Sequence, residues 1–227
     1  MLSRVVSRTK QAKLLNKIVV ATSDKPIDDA VVTEAARLAV SFFRGSENDV
    51  LDRYYRAALS FKAEVVVRIT SDCPLIDPTI IDMVVSAFLN VNPDYASNTL
   101  VRTYPRGLDV EALSMSALTK AWQEARKPYQ RAHVTPYIYE NPSLFRLWSI
   151  SGSHNYSHYR WTVDTPEDLE FVMRIYKRLG YNSAFDWHDV LDLCKKEPAL
   201  TKLNSHIKQK ETENGYNDLM LKPIKRC

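Results

Sequence analysis

The residues of this chain best placed for chemistry are polar ones that directly follow apolar, β-branched runs. Three such places stand out: Thr22-Ser23-Asp24 after the run at 17–21, Ser71-Asp72-Cys73-Pro74 after the run at 64–70, and Asp164 after the run at 159–163. In open α/β sheets, ligands bind beyond the carboxyl ends of the strands. On that rule Asp72 and Asp164 converge from points 92 positions apart. Two hard oxygen ligands are what Mg²⁺ carrying a nucleotide requires. Each residue also has a local role open to it: Asp72 can shape the turn before Pro74, and Asp164 can help cap a helix. Arg44-Gly45-Ser46 and Arg68 suit an anionic ligand, or else serve as surface ion-pair partners. Arg131 and His133 could bind a carboxylate if their helix faces a cleft, and otherwise lie on a solvated face. His154 and His158 have the i, i+4 spacing of a metal pair only on a helix, and Ser151-Gly152-Ser153 beside them argues for a loop. No Ser-His-Asp or Cys-His arrangement has a recognisable spacing, and the four tryptophans read as core rather than as stacking platforms.

Positioning these residues requires a sheet. The pattern predicts an amphipathic helix at 2–15, a strand at 17–21, and a helix from about Asp28. A strand at 41–43 and a helix capped by Asn48 follow. The nearly continuous β-branched run at 64–70 reads as a central strand covered on both faces. Beyond it, helices are expected at 79–91, 115–125 and 130–140, and strands at 94–97, 109–113, 145–150 and 159–163. Thr165-Pro166-Glu167-Asp168 then opens a helix that Gly180 closes, with Leu169, Val172, Met173 and Tyr176 as its buried stripe. Another helix is expected at 186–195. Alternating strands and helices argue for an α/β fold with a mainly parallel sheet.

With 227 residues, 45% of them hydrophobic, the chain can bury the core of one large domain, expected at 1–207 with a polar tail at 208–227. No run of 18 apolar residues suggests a membrane span. Three cysteines, far apart and without C-x-x-C spacing, suggest neither a disulfide framework nor a zinc site, and fit a reducing cytoplasm. A net charge of +4, spread along the chain, favours anionic small molecules over nucleic acid.

The blocks ATSD at Ala21, RGSENDVLDRY from Arg44, VVVRITSDCPLIDP from Val65, SNT at Ser97, YPRGLDVE from Tyr104, HVTPYI from His133 and RWTVDTPEDLE from Arg160 stand in a telling order. In order and spacing the chain resembles the spore-coat-polysaccharide type of cytidylyltransferase, from Met1 to the region of His206. That group is similar to the enzymes that make CMP-acylneuraminate and CMP-Kdo. The resemblance implies a nucleotide-diphosphosugar-transferase-like α/β fold, a mainly parallel mixed sheet flanked by helices on both faces. It also implies a homodimer, CTP as donor, an acidic nonulosonate-type sugar as acceptor, and Mg²⁺ held by Asp72 and Asp164. By the same resemblance Thr22, Ser23, Asp24, Arg44 and Asp49 lie near the nucleotide, and Asn98, Thr99, Asp109, Arg131 and His133 toward the sugar. Residue 132 is Ala where relatives often carry an acid. The family opens with a strand and a basic loop, A-R-x-G-S-x-R-L-P-G-K, ahead of the helix into which Met1 falls. The expectation is therefore a sheet lacking that first strand, with roughly 30 to 40 further residues in a full-length form. Two other readings stand beside the enzyme: an inactive, partner-binding remnant of the family, and a glycosyltransferase of similar fold.

Overall fold

The computed structural model describes residues 1–182 and 184–208, so the tail expected at 208–227 lies, apart from Lys208, outside the described residues. In chain order the elements are α1 (Leu2–Thr9), β1 (Val19–Ser23), α2 (Asp29–Arg37), β2 (Ser41–Gly45), α3 (Val50–Ser60) and β3 (Val65–Arg68). There follow α4 (Pro78–Val91), β4 (Tyr95–Ser97), β5 (Glu111–Ser114), α5 (Met115–Glu124), α6 (Pro128–His133) and α7 (Pro136–Tyr139). The last are β6 (Leu147–Ser149), α8 (Pro166–Leu179), α9 (Trp187–Lys196) and α10 (Pro198–Lys202).

The strands form two sheets, one of two parallel strands and one mixed. β1 and β2 pair in parallel, and a second sheet has the order β3-β5-β4-β6. In that sheet β5 runs antiparallel to both β3 and β4, while β4 and β6 are parallel. Period-2 alternation distributes its side chains between two cores. Val65, Val67, Ala96 and Ala112 face the core built with α4, α8 and α9. Val66, Tyr95 and Leu113 face the core built with α3, α5 and α7. The run around Val66 thus packs into a core on each face, but among the described residues β3 lies at the edge of its sheet and is not the central strand expected.

Among the described residues β1 pairs only with β2, and β3 only with β5. Their other edges face a trough of about 1020 Å³, lined by Val19 to Ser23 on one wall and Val65, Val67 and Arg68 on the other. Across its floor, α1 is tied to the far end of the chain. Arg8, fully buried, donates to the carbonyls of Ile76 and Phe185 and to Asp77 Oδ2 at 3.4 Å. Asp77 also accepts the backbone N–H groups of Thr79 and Trp187, at 2.8 and 2.9 Å. Burial lowers the pKa of Arg8, and Tyr176 and Asp77 oppose that shift.

Several expectations are corrected. The segment 159–163 forms no strand ladder; only an isolated bridge joins Arg160 to Arg106. Its N–H groups alternate between two partners, Trp161 donating to Arg106 and Val163 to Asp72, so no single neighbour can extend a ladder. The helix expected at 130–140 is broken into α6 and α7 at Val134, which holds φ +76°, two residues before Pro136. Asp49, rather than Asn48, caps α3. On α8 the buried face is Asp168, Phe171, Val172, Ile175 and Tyr176, whereas Leu169 and Met173 are exposed. Arg160 and Asn204 draw Asp168 inward, and this rotates the stripe by one residue. Trp161 and Trp187 are core as expected, whereas Trp148 is exposed on β6.

Candidate active site

The loop after β1 is shaped by its own polar groups. Asp28 Oδ2 accepts the Thr22 hydroxyl at 2.7 Å and the Ser23 N–H at 2.9 Å. Hydrogen bonds from Ser23 and Thr22 hold the Asp28 carboxyl down at about 2. Thr22 and Ser23 are buried and Asp24 is exposed. Arg44, at the end of β2, donates to the carbonyls of Ser23 and Lys25 and to Asp29, and so clasps this loop against its neighbour strand.

Asp72 and Asp164 do come together. The carbonyl of Asp72 accepts the N–H of Val163 at 2.9 Å, and its Oδ2 accepts the hydroxyl of Thr162 at 3.1 Å. Asp164 is the next residue along, exposed, with Oδ2 accepting Arg160 Nη2 at 2.5 Å. Arg160 is anchored below by a fork of two 2.9 Å bonds to Asp168, which is fully buried. Asp168 also accepts Asn204 Nδ2 and the N–H groups of Asp164 and Thr165. It is thereby both the reciprocal cap of α8 and the foundation of the Asp164 turn. Burial raises the pKa of Asp168, but the Arg160 bond and the other donors prevail and lower it.

The donors at this point suit a hard cation. Among the described residues no group of three or more His, Cys, Asp or Glu is placed to hold a metal ion by itself. A cation at Asp72 and Asp164 would thus complete its shell with water and phosphate oxygens, the usual Mg²⁺ arrangement. The neighbouring Cys73 is buried, and burial and then Asp72 push its thiol well up, so it stays protonated. His154 and His158 sit in an irregular loop.

The residues expected near the sugar have more varied surroundings. Asn98 is buried and its amide is spent on the backbone, Nδ2 donating to Leu108 and Oδ1 accepting Val110 N–H. Thr99 shares a hydroxyl contact with Ser97 at 2.8 Å. Asp109 accepts both arms of Arg102, at 2.6 and 2.9 Å. Arg131 grips Asp49 Oδ2 at 2.6 and 3.0 Å, so a residue expected near the nucleotide and one expected near the sugar are direct partners. Asp49 Oδ1 meanwhile caps α3 through the Asp52 N–H. Partial desolvation and the charge of Arg68 lower the pKa of His133.

One residue that the sequence reading did not single out organises this wall. Glu111, buried on β5, accepts Tyr95 Oη and Thr135 Oγ1 at 2.6 Å each, and pairs with Arg68. Burial disfavours the Arg68 charge, yet Glu111 outweighs this and raises its pKa. The signal available was the period-2 spacing of Asp109 and Glu111 beside a strand carrying Arg68.

An α/β unit of mixed strands flanked by helices, with the Asp72 turn bonded to the segment that carries Asp164, is of the nucleotide-diphosphosugar-transferase type, a fold shared with solved structures. The profile of the family described as Cytidylyltransferase matches residues 1–196, and the chain belongs to that family. A cytidylyltransferase from Leptospira borgpetersenii serovar Hardjo-bovis superposes with a TM-score of 0.86 and 35% identity, covering 92% of this chain and 87% of that one. The spore coat polysaccharide biosynthesis protein SpsF of Bacillus subtilis is 29% identical, over 87% of this chain and 84% of its own. The 3-deoxy-manno-octulosonate cytidylyltransferase of Solibacter usitatus is 27% identical, over 78% of this chain and 84% of its own.

Proposed function

We propose that this cytidylyltransferase transfers CMP from CTP to an acidic, nonulosonate-type sugar destined for a surface polysaccharide. The observation that carries the reading is the meeting of Asp72 and Asp164, joined through the Val163 N–H although 92 positions apart. Likeness to a 3-deoxy-manno-octulosonate cytidylyltransferase and to SpsF supports the choice of acceptor and pathway.

In this reading Thr22, Ser23 and Asp24, fixed by Asp28 and Arg44, border the nucleotide, and Asp49 closes the same side. Arg131, held on Asp49, lies where nucleotide and sugar regions meet, with His133 beyond it. Asn98 acts by holding the backbone of Leu108 and Val110, which places Asp109 and Thr99. The sugar hydroxyl attacks the α-phosphorus of CTP and pyrophosphate leaves, so the protein's work is positioning and charge stabilisation. Mg²⁺ on Asp72 and Asp164 would offset the charge of the phosphates and of the departing pyrophosphate. A homodimer in the cytoplasm is part of the same reading. The test is pyrophosphate release from CTP with 3-deoxy-manno-octulosonate or an acylneuraminate, with and without EDTA. Release that requires both the sugar and the cation is expected; equal release with EDTA, or a strong preference for another nucleotide, would overturn the reading.

A further inference from the structure

The segment 159–163 lies in no strand ladder, so its backbone groups must find partners elsewhere. Two of its N–H groups reach the backbone, Trp161 donating to Arg106 at 2.7 Å and Val163 to Asp72 at 2.9 Å. The carbonyl of Arg160 is met from another direction. Asn204 Nδ2 donates to it at 2.9 Å, and the same nitrogen, which carries two hydrogens, donates to Asp168 Oδ1 at 2.9 Å. One side-chain amide stands where a neighbouring strand would otherwise stand.

Every other donor to Asp168 among the described residues belongs to the segment 160–168 itself: Arg160 through Nε and Nη2, and the N–H groups of Asp164 and Thr165. Asn204 is the brace from outside. It is 1% exposed, and it comes from beyond residue 196, where the match to the family profile ends. The short helix α10 fixes it in place. Leu200 of that helix is buried in the core that holds Trp161, Phe171 and Val172, and Leu203 packs against the same core.

We infer that Asn204 is a positioning residue for the pair Asp72 and Asp164, so that chain beyond the family profile supports the site. The path is short. Asn204 fixes the Arg160 carbonyl and Asp168, and Asp168 holds the Arg160 guanidinium and the N–H of Asp164. Arg160 reaches Asp164 Oδ2, and Val163 ties the segment to the Asp72 carbonyl. Without the Asn204 amide, one carbonyl and one buried carboxylate oxygen each lose a donor, and the segment is freer to shift against the Asp72 turn. Groups that orient the ligands of a metal influence its affinity as well as the ligands do. The inference rests on the reading that Asp72 and Asp164 hold the metal.

The experiment compares the whole chain with Asn204→Leu, which puts an apolar group branched at the same carbon in place of the amide. Two quantities are read: amide hydrogen exchange, and Mn²⁺ bound in the presence of CTP in excess of that bound by CTP alone, followed by spin resonance. In the variant the amides of Trp161 and Val163 are expected to exchange at least about tenfold faster, while those of α2 and α5 keep wild-type rates. Mn²⁺ affinity is expected to fall at least about threefold. Should Asn204→Leu not melt cooperatively, Asn204→Ala decides. Unchanged exchange at Trp161 and Val163, or acceleration spread evenly over α2 and α5, overturns the inference. Faster exchange at the segment with unaltered Mn²⁺ binding also overturns it, and leaves the metal reading standing. No protein-dependent Mn²⁺ binding in the wild type removes both.

Discussion

Asp72 and Asp164 sit in turns outside the packed core, so their charge can be removed without opening a cavity. If they hold the metal as proposed, Asp72→Asn and Asp164→Asn are expected to lower turnover at least about 10²-fold, because charge at a metal site contributes several kcal/mol to transition-state stabilisation. Melting curves should stay close to wild type, and near-normal turnover in either variant would assign that residue to its turn or cap. Asp28 gives a prediction in pH. Its folded pKa, about 2, lies below the ordinary 3.8, so its contribution is present above 3.8 and is lost as pH falls through about 2. Asp28→Asn should therefore lower the melting temperature at neutral pH and make the difference from wild type vanish near pH 2. The approach of Asp72 to the turn that carries Asp164 was legible in the sequence because both follow apolar runs. Glu111 was not, since a carboxylate one register step along a strand reads as a solvated position until the arginine across the ladder is known. The spending of Asn98 on backbone groups was equally hidden, because it depends on a loop that returns ten residues later.

At the scale of elements, the Asp164 turn depends on a close approach that a single glycine permits. Gly107 holds φ +102°, and a Cβ there would lie 2.6 Å from the backbone carbon and oxygen of Trp161 and 2.8 Å from Thr162 N. Gly107→Ala must move the very segment that restrains both carboxylates. A cost of about 2 kcal/mol or more is expected for the conformation and the clash, equivalent to a melting temperature lower by about 4–8 °C in a chain of this size. Gly152→Ala serves as the control, since its Cβ would meet only the Tyr104 ring and Thr103 Oγ1, at 3.3 Å or more. An equal loss in both variants would refute the special role of Gly107. Most elements were readable because periodicity and caps agree, as in α8 with its Thr165 cap, Pro166 and Gly180. The failures differ in cause: the pairing of 159–163 is set by the distant backbone partners Arg106 and Asp72, which local pattern does not encode, whereas the break at Val134 lies two residues before Pro136 and was open to local reading.

At the scale of the whole molecule, the trough between β1 and β3 leaves two strand edges without sheet partners among the described residues. Such edges invite association with other chains, and a buried backbone group left unpaired costs about 1–3 kcal/mol. A form extended at its N-terminus by one strand and the loop A-R-x-G-S-x-R-L-P-G-K is expected to melt higher, scatter less light on heating and bind CTP more tightly than residues 1–227 alone. An unchanged melt would show that these edges are not the weak point.

Arg8 carries a consequence for how the chain is made. Its acceptors are the carbonyls of Ile76 and Phe185, and Asp77, whose carboxylate also takes the N–H of Trp187. The first helix therefore has its buried charge without a full set of partners until residue 185 has left the ribosome. At about 5–20 residues per second that interval lasts roughly 10 to 35 s. Through this period the apolar face of α1 and the guanidinium beside it must stay in solvent or in the hands of a chaperone. Helix α1 is synthesised long before the last of the partners that seal it.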